Sequence, residues 1–335
     1  MYASRELSKE LSLPLVRVTE AAALRAARTQ GHGDKNGTDA AAVDAMRGML
    51  DYIDIRGTVI IGEGEKDEAP MLYCGEQVGM MRPDSVEVDI AVDPVDGTTM
   101  TANGMGNALS VIAMGDRGSM MSIPCFYALK LACGPMLAGH LDLNASLTQN
   151  IRVAAARLDK SYADITVAVL NRPRHNEYIK ELRSLGCRIK LIQDGDIAAA
   201  IATCDEDRGI DFYYGVGGAP EAVITAVAMK ALEGDLQVKM WPTRQEEKDA
   251  LAAAGLFEEK VYTAEDLAKG ENLIFSATGV TDGELLRGVR FYGDRAKTES
   301  LLMRNQTKTV RRIEAVHNLK HKTLPSKSSN QEREI

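Results

Sequence analysis

Asp93 and Asp96 stand three residues apart in the run Val88-Asp89-Ile90-Ala91-Val92-Asp93-Pro94-Val95-Asp96-Gly97-Thr98. Their carboxylates are the kind of oxygen that hard divalent cations take as ligands. Val88, Ile90 and Val92 are β-branched and predict a strand, which Pro94 and Gly97 then break into a tight turn. With the Val95 carbonyl and the Thr98 hydroxyl, four oxygen donors fall within six residues. Such a set suits a cation and the phosphate oxygens that the cation would hold. A simple Asx turn with two solvated acids is the competing reading.

Further acids occupy comparable places. Glu63 lies in the loop Gly62-Glu63-Gly64-Glu65-Lys66-Asp67-Glu68-Ala69-Pro70, after the apolar segment Thr58 to Ile61, and Asp39 opens a helical pattern. Glu221 follows Gly215-Val216-Gly217-Gly218-Ala219-Pro220 at a predicted helix start. There the helix dipole favours an acid, while a pyrophosphate would be excluded. The glycines lack the G-x-G-x-x-G spacing and no Walker A sequence occurs, so nucleotide binding is the weaker reading. If Asp39, Glu63, Asp93, Asp96 and Glu221 converge, two charges about 5 Å apart repel by roughly 3 kcal/mol at an effective dielectric near 20. Protons or divalent metal must relieve that repulsion, and two-metal sites do so while activating a water. Separate caps and solvated loops are the alternative.

The elements that must position these residues alternate. Helices are predicted over Val16 to Arg28 and Thr38 to Met49, and strands over Thr58 to Ile61, Glu87 to Val92 and Ala108 to Met114. From Thr166 the rhythm is regular: strand to Leu170, helix Arg174 to Leu185, strand Arg188 to Ile192, helix Ile197 to Thr203, strand Asp211 to Tyr214, helix Pro220 to Leu232. That order predicts βαβ units and a largely parallel sheet, with ligand loops at the strands' carboxyl ends. Asp194-Gly195-Asp196 is one such loop. A chain of 335 residues exceeds a single ordinary core. The boundary is expected near Lys160, giving domains 1–160 and 161–319 and a mobile polar tail 320–335.

Composition narrows the function classes. A net charge of -8 argues against nucleic acid or an anionic membrane as partner. Five scattered cysteines without a C-x-x-C pair suggest reduced thiols in the cytoplasm. The charged first ten residues do not resemble a signal peptide, and no apolar run is long enough to span a bilayer. His175 beside Arg174 has no nucleophile motif near it, and reads as a surface or supporting residue.

The Asp-Pro-Val-Asp-Gly-Thr run resembles the signature of the lithium-sensitive, metal-dependent sugar phosphatases, which include inositol monophosphatases and fructose bisphosphatases. Several segments narrow the resemblance to class II, GlpX-type, fructose-1,6-bisphosphatases: Val16 to Ala23, Gly33-Asp34-Lys35-Asn36, Ile61 to Glu65, Asp67 to Tyr73, Arg172-Pro173-Arg174-His175, Asp194-Gly195-Asp196, Gly217 to Glu221 and Ser276 to Thr281. The match runs in order from about residue 11 to His317.

The resemblance implies a layered α-β-α-β-α fold with two mixed or parallel sheets. It implies Mn²⁺ or Mg²⁺ at Asp39, Glu63, Asp93, Asp96 and Glu221. Substrate would touch Asp96, Gly97, Thr98, Tyr127, Arg172, Pro173, Arg174, Asp194, Gly195, Asp196 and Gly218. Lys35 joins the catalytic set, and Thr98 pairs with Asp67 or Asp39 to orient the water; Asp67 is favoured because Asp39 is committed to metal. The arginine forks suit a phosphate remote from the metals. Asp96 stands where many members have Glu, Ala40 where Gly is usual, and Cys125-Phe126 replaces the usual approach to Tyr127. The expected activity is removal of the 1-phosphate of fructose 1,6-bisphosphate in gluconeogenesis, by a homo-oligomer (dimer or tetramer). Sedoheptulose 1,7-bisphosphate or an inositol-type monophosphate is the alternative substrate. A metal-stabilised binding module without turnover is the alternative class.

Overall fold

The computed structural model describes residues 7–64, 71–324 and 333–334. Helix α1 (Leu7–Ala26) is buried on every side from Val18 to Leu24, where its alanines let it sit deep against strands. Helix α2 (Lys35–Leu50) packs on it, started by Asp34, whose Oδ1 accepts from the Gly37 amide at 2.8 Å. Strands β1 (Ile55–Ile61), β2 (Gln77–Val78) and β3 (Val86–Asp96) follow, then the short helix α3 (Thr98–Ala102) and strand β4 (Leu109–Asp116).

The chain then builds a second unit over residues 121–269. Its strands are β5 (Tyr127–Cys133), β6 (Thr166–Leu170), β7 (Arg188–Ile192), β8 (Phe212–Gly218), β9 (Asp235–Met240) and β10 (Tyr262–Thr263). Its helices are α4 (Leu147–Leu158), α5 (Asn176–Ser184), α6 (Asp196–Ala202), α7 (Ala219–Ala231), α8 (Gln245–Ala253) and α9 (Ala264–Leu267). From Gly270 the chain returns to the first unit with β11 (Leu273–Gly279), β12 (Arg290–Tyr292), β13 (Arg295–Arg304) and β14 (Thr309–Asn318).

The protein is therefore mixed α/β, with one mixed sheet per unit. The first sheet runs β12-β13-β11-β4-β3-β1-β2 with β14 beside β13, and only β1 and β3 pair parallel. The second runs β10-β9-β5-β8-β6-β7, parallel only where β6 meets β7 and β8. A largely parallel sheet was expected, but the βαβ rhythm covers only β6 to β8. The flanking strands β5 and β9 enter antiparallel.

The units also divide differently from a cut at residue 160. Strand β5 already belongs to the second sheet, and β11 inserts between β4 and β13 of the first. An apolar strand such as Leu273-Ile274-Phe275-Ser276-Ala277 fits either core, so its sequence does not say which sheet receives it. The expected mobile tail begins with two tethered lysines. Lys320 pairs with Asp294 at 2.7 Å, and Lys322 Nζ donates to His317 Nδ1 at 2.8 Å. Of the rest, residues 323–324 pair with 333–334, and 325–332 and 335 lie outside the described residues. No described helix is long and apolar enough to cross a membrane.

Candidate active site

In the first unit the parallel pairing of β1 and β3 carries two acid-bearing segments toward the same end of the sheet. Ile61 pairs with Ala91, and Glu63 and Asp93 each follow two residues later. Strand β3 does not stop at Val92: it continues through Pro94 and Val95 to Asp96, with a register shift against β4 between Asp93 and Asp96. A proline is tolerated at such an irregularity because the ladder is already broken there. Asp93 Oδ1 accepts from the Val95 amide at 3.0 Å, and Asp96 is only 7% exposed.

Gly97 then turns the chain at φ +98°, where a Cβ would stand 2.6 Å from Met100 Cε and 3.3 Å from Ala108 Cβ. Thr98 opens α3, and its hydroxyl donates to the Val95 carbonyl at 3.0 Å. The loop before α2 is tied to this helix, since Gly31 and Gly33 amides donate to the carbonyls of Thr101 (3.0 Å) and Ala102 (2.8 Å). Lys35 and Asp39 thus start α2 from a fixed point. Burial pushes the Asp39 carboxyl up, and the nearby Lys35 ammonium opposes that shift. Asp67 lies outside the described residues.

In the second unit the expected residues gather at one edge of the sheet. The parallel strands β6, β7 and β8 end at Leu170, Ile192 and Gly218, and β5, antiparallel to β8, begins at the same edge with Tyr127 opposite Gly218. The Cys125-Phe126 approach is anchored there: Glu247 accepts from the Phe126 amide at 3.1 Å, and the Ala219 amide donates to the Phe126 carbonyl at 2.9 Å. Arg174 lies over the Tyr127 ring, 4.8 Å from its centroid, and donates from Nε and Nη2 to the Val216 carbonyl at 3.1 and 2.8 Å. Two of its five N–H groups are so used, leaving three. Arg172 faces Asp194 at 3.9 Å. Pro173 starts the turn that carries Arg174, and Gly195 precedes α6 at φ +77°.

His175 is wholly buried, not a surface residue. Its Nδ1 stands 2.7 Å from the Leu170 carbonyl and its Nε2 accepts from the Val216 amide at 2.8 Å, so the ring is the neutral Nδ1–H tautomer. Burial lowers its pKa further. It ties the end of β6 to β8 and so fixes the backbone on which Arg174 rests.

Lys130 was absent from the expected set. It sits mid-strand in β5, 2% exposed, with Nζ 2.7 Å from Asp196 Oδ2. Glu221, in the first turn of α7, feels the same ammonium: burial raises its pKa most, Lys130 lowers it, and Asp196 and Asp194 raise it again. Glu221 Oε2 is out of contact with solvent and has no hydrogen-bond partner among the described residues. Gly217 and Gly218 make room for these acids, since a Cβ would fall 1.8 Å from Asp196 Oδ2 in one case and 1.8 Å from Glu221 Oε2 in the other. The sequence held a signal for Lys130: one cation inside the apolar run Ala128-Leu129-Lys130-Leu131-Ala132 requires a buried partner.

Among the described residues no three acids, histidines or cysteines stand close enough to hold one metal ion as they are placed. The donor chemistry nevertheless fits a hard cation. Glu63 lies two residues past the end of β1 and Asp93 near the end of the adjacent β3, and burial raises the carboxyls of Asp39 and Glu221 above their ordinary values.

The sequence matches the family model described as bacterial fructose-1,6-bisphosphatase, glpX-encoded, over residues 9–317. It is 46% identical over 329 residues to fructose-1,6-bisphosphatase 1 class 2 of Escherichia coli K12, covering 94% of this chain and 97% of that one. The class 2 fructose-1,6-bisphosphatase of Shigella flexneri matches to the same extent. With 46% identity over nearly the whole length, this chain belongs to the class II fructose-1,6-bisphosphatase family.

Proposed function

We propose that the protein hydrolyses the 1-phosphate of fructose 1,6-bisphosphate to fructose 6-phosphate and phosphate, with Mn²⁺ or Mg²⁺ bound by Asp39, Glu63, Asp93, Asp96 and Glu221. Family membership supports the phosphatase activity. The observation that favours a bisphosphate is the pair Arg172 and Arg174 following β6, with Arg172 3.9 Å from Asp194. Cationic forks next to acids suit a phosphate on a polyhydroxylated sugar.

Divalent metal, when bound, supplies an activated water and neutralises the phosphate oxygens. The protein's own groups do the rest. Thr98, its proton given to the Val95 carbonyl, keeps lone pairs that accept from the attacking water. Lys35 opposes the Asp39 shift and adds positive charge beside that carboxylate. Asp194 and Asp196 accept from sugar hydroxyls, and the remaining Arg174 donors hold the distal phosphate. A loose phosphoryl-transfer transition state asks mainly for such charge and position. We read the protein as a cytoplasmic homo-oligomer, consistent with five scattered cysteines lacking a C-x-x-C pair and with the commonness of symmetric assemblies.

Phosphate release from fructose 1,6-bisphosphate, sedoheptulose 1,7-bisphosphate and inositol monophosphate tests the reading. Activity is expected to be highest on the first, lost on chelation, restored by Mn²⁺ or Mg²⁺ and inhibited by Li⁺. Turnover that survives exhaustive chelation would sink the metal assignment. Better use of inositol monophosphate would sink the substrate assignment.

A further inference from the structure

The backbone that carries Glu63 is clamped by a chain of contacts beginning on α2. Arg47 is 5% exposed, and its Nε lies 2.5 Å from Glu76 Oε1. Its Nη1 pairs with Asp51, and its Nη2 reaches the Gln77 carbonyl at 3.5 Å. The second oxygen of Glu76 accepts from the Leu72 amide. The Leu72 carbonyl in turn accepts from the Glu63 amide at 2.9 Å.

Leu72 is the unusual member. It is wholly buried and adopts φ +56°, a left-handed conformation that L-residues other than Asn and Asp seldom take. Such a conformation persists only where its surroundings over-determine it. Here both its peptide groups are held, the N–H by a carboxylate and the C=O by the Glu63 amide. Gly62 fits the same tight approach, since a Cβ at that position would fall 1.9 Å from the Leu72 carbonyl oxygen.

We propose that Arg47 and Glu76 are positioning residues that set the backbone of Glu63, and hence its carboxylate as a metal ligand, through the strained peptide of Leu72. The inference rests on the reading of Glu63 as a ligand. A buried charge pair placed only for stability would not need to end on the amide of a left-handed residue whose carbonyl holds Glu63. Groups that orient metal ligands from behind typically change metal affinity or activity by about 10–100-fold when removed.

Glu76→Gln is the mild test. Both partners of Glu76, the Arg47 Nε–H and the Leu72 N–H, are donors, and a glutamine amide offers one acceptor and one donor. One link therefore breaks whichever way the amide faces, while Arg47 keeps Asp51. Arg47→Met is the severe test, and it leaves the half-buried Glu76 carboxylate without its cation.

Mn²⁺ affinity of the full chain by titration calorimetry, the melting temperature, and hydrogen exchange at the Glu63 and Leu72 amides are measured together. In either variant that folds, Mn²⁺ affinity is expected to weaken about 10-fold or more. kcat is expected to fall with little change in KM for fructose 1,6-bisphosphate, and exchange at both amides to quicken. A lowered melting temperature with wild-type Mn²⁺ affinity and kcat in Glu76→Gln would overturn the proposal, because that pattern is purely structural. Glu63→Gln separates the two readings. If it binds Mn²⁺ as well as the wild type, the ligand assignment of Glu63 fails, whereas the clamp stands or falls on the exchange rates at Glu63 and Leu72.

Discussion

Lys130 and Asp196 are both almost fully out of water, so neither charge is tolerable without the other. Breaking a buried pair from one side costs about 3–5 kcal/mol, whereas replacing both partners with neutral groups costs far less. Lys130→Met should therefore destabilise the second unit strongly and raise KM for the sugar, and adding Asp196→Asn should recover stability without recovering KM. Melting curves and steady-state kinetics on the two single variants and the double variant check this; additive losses of stability would show that the pair does not act as a unit. Thr98 sits differently, at a partly buried turn where its hydroxyl already has the Val95 carbonyl as acceptor. Thr98→Val removes that bond, for about 1 kcal/mol of stability, and with it the lone pairs offered to water. kcat should drop by about 10-fold or more with KM nearly constant, as for a contact made only in the transition state. A changed KM at constant kcat would assign Thr98 to substrate binding instead.

The elements that carry these residues were legible in the sequence where a local pattern decides them. Strands Thr166 to Leu170 and Arg188 to Ile192 stand as their β-branched runs predict, and α2 and α7 lie within three residues of their expected starts. Strand β3 outran its prediction, because pairing with β4 resumes across Asp96 and overrides the proline. Strand β5 was not anticipated, since its lysine interrupts an apolar run, and only the fold supplies the partner Asp196. The hairpin β13–β14 was also unread. Its buried anchor is long-range: His317 near the end of β14 lies 2.8 Å from Thr298 Oγ1 on β13, 3.9 Å from Glu20 of α1, and accepts from Lys322. Burial first, and then Lys322, holds this histidine down at about 4, against 6.5 in the unfolded chain. Between those values the unfolded ring carries a proton that the folded ring does not, so stability falls as pH drops from 6.5 to 4, by up to about 3 kcal/mol. Glu20 is lifted by burial and works in the opposite sense, taking up its proton earlier in the folded chain than in the unfolded one. His317→Gln removes only the ring's contribution, and should flatten the decline in melting temperature across that window. An unchanged decline would show that His317 is not the group responsible.

Over the whole molecule the proposed site residues come from two stretches of chain, with the fifth proposed metal acid, Glu221, in the same stretch as the arginines. Asp39, Glu63, Asp93 and Asp96 belong to the first unit, and Arg172, Arg174, Asp194, Asp196 and Glu221 to the second. The division was invisible at the sequence level because β11 to β14 return to the first sheet from more than 150 residues beyond β4, and nothing local marks that return. It carries a consequence for specificity. On the proposed function, binding energy gathered by the arginines from the second phosphate would position the 1-phosphate for attack without taking part in bond breaking. Arg174→Ala removes three available donors and the stacking on Tyr127, and should cost on the order of 2 to 4 kcal/mol in kcat/KM for fructose 1,6-bisphosphate. A substrate that presents only the scissile phosphate should lose little. Comparing wild type and variant on both substrates isolates the distal contact, because Arg174 also holds the Val216 carbonyl and any general loosening of the second unit would harm both reactions alike. Equal losses on the two substrates would refute the distal-phosphate role, and a selective loss on the bisphosphate would fix Arg174 as the residue that distinguishes two phosphates from one.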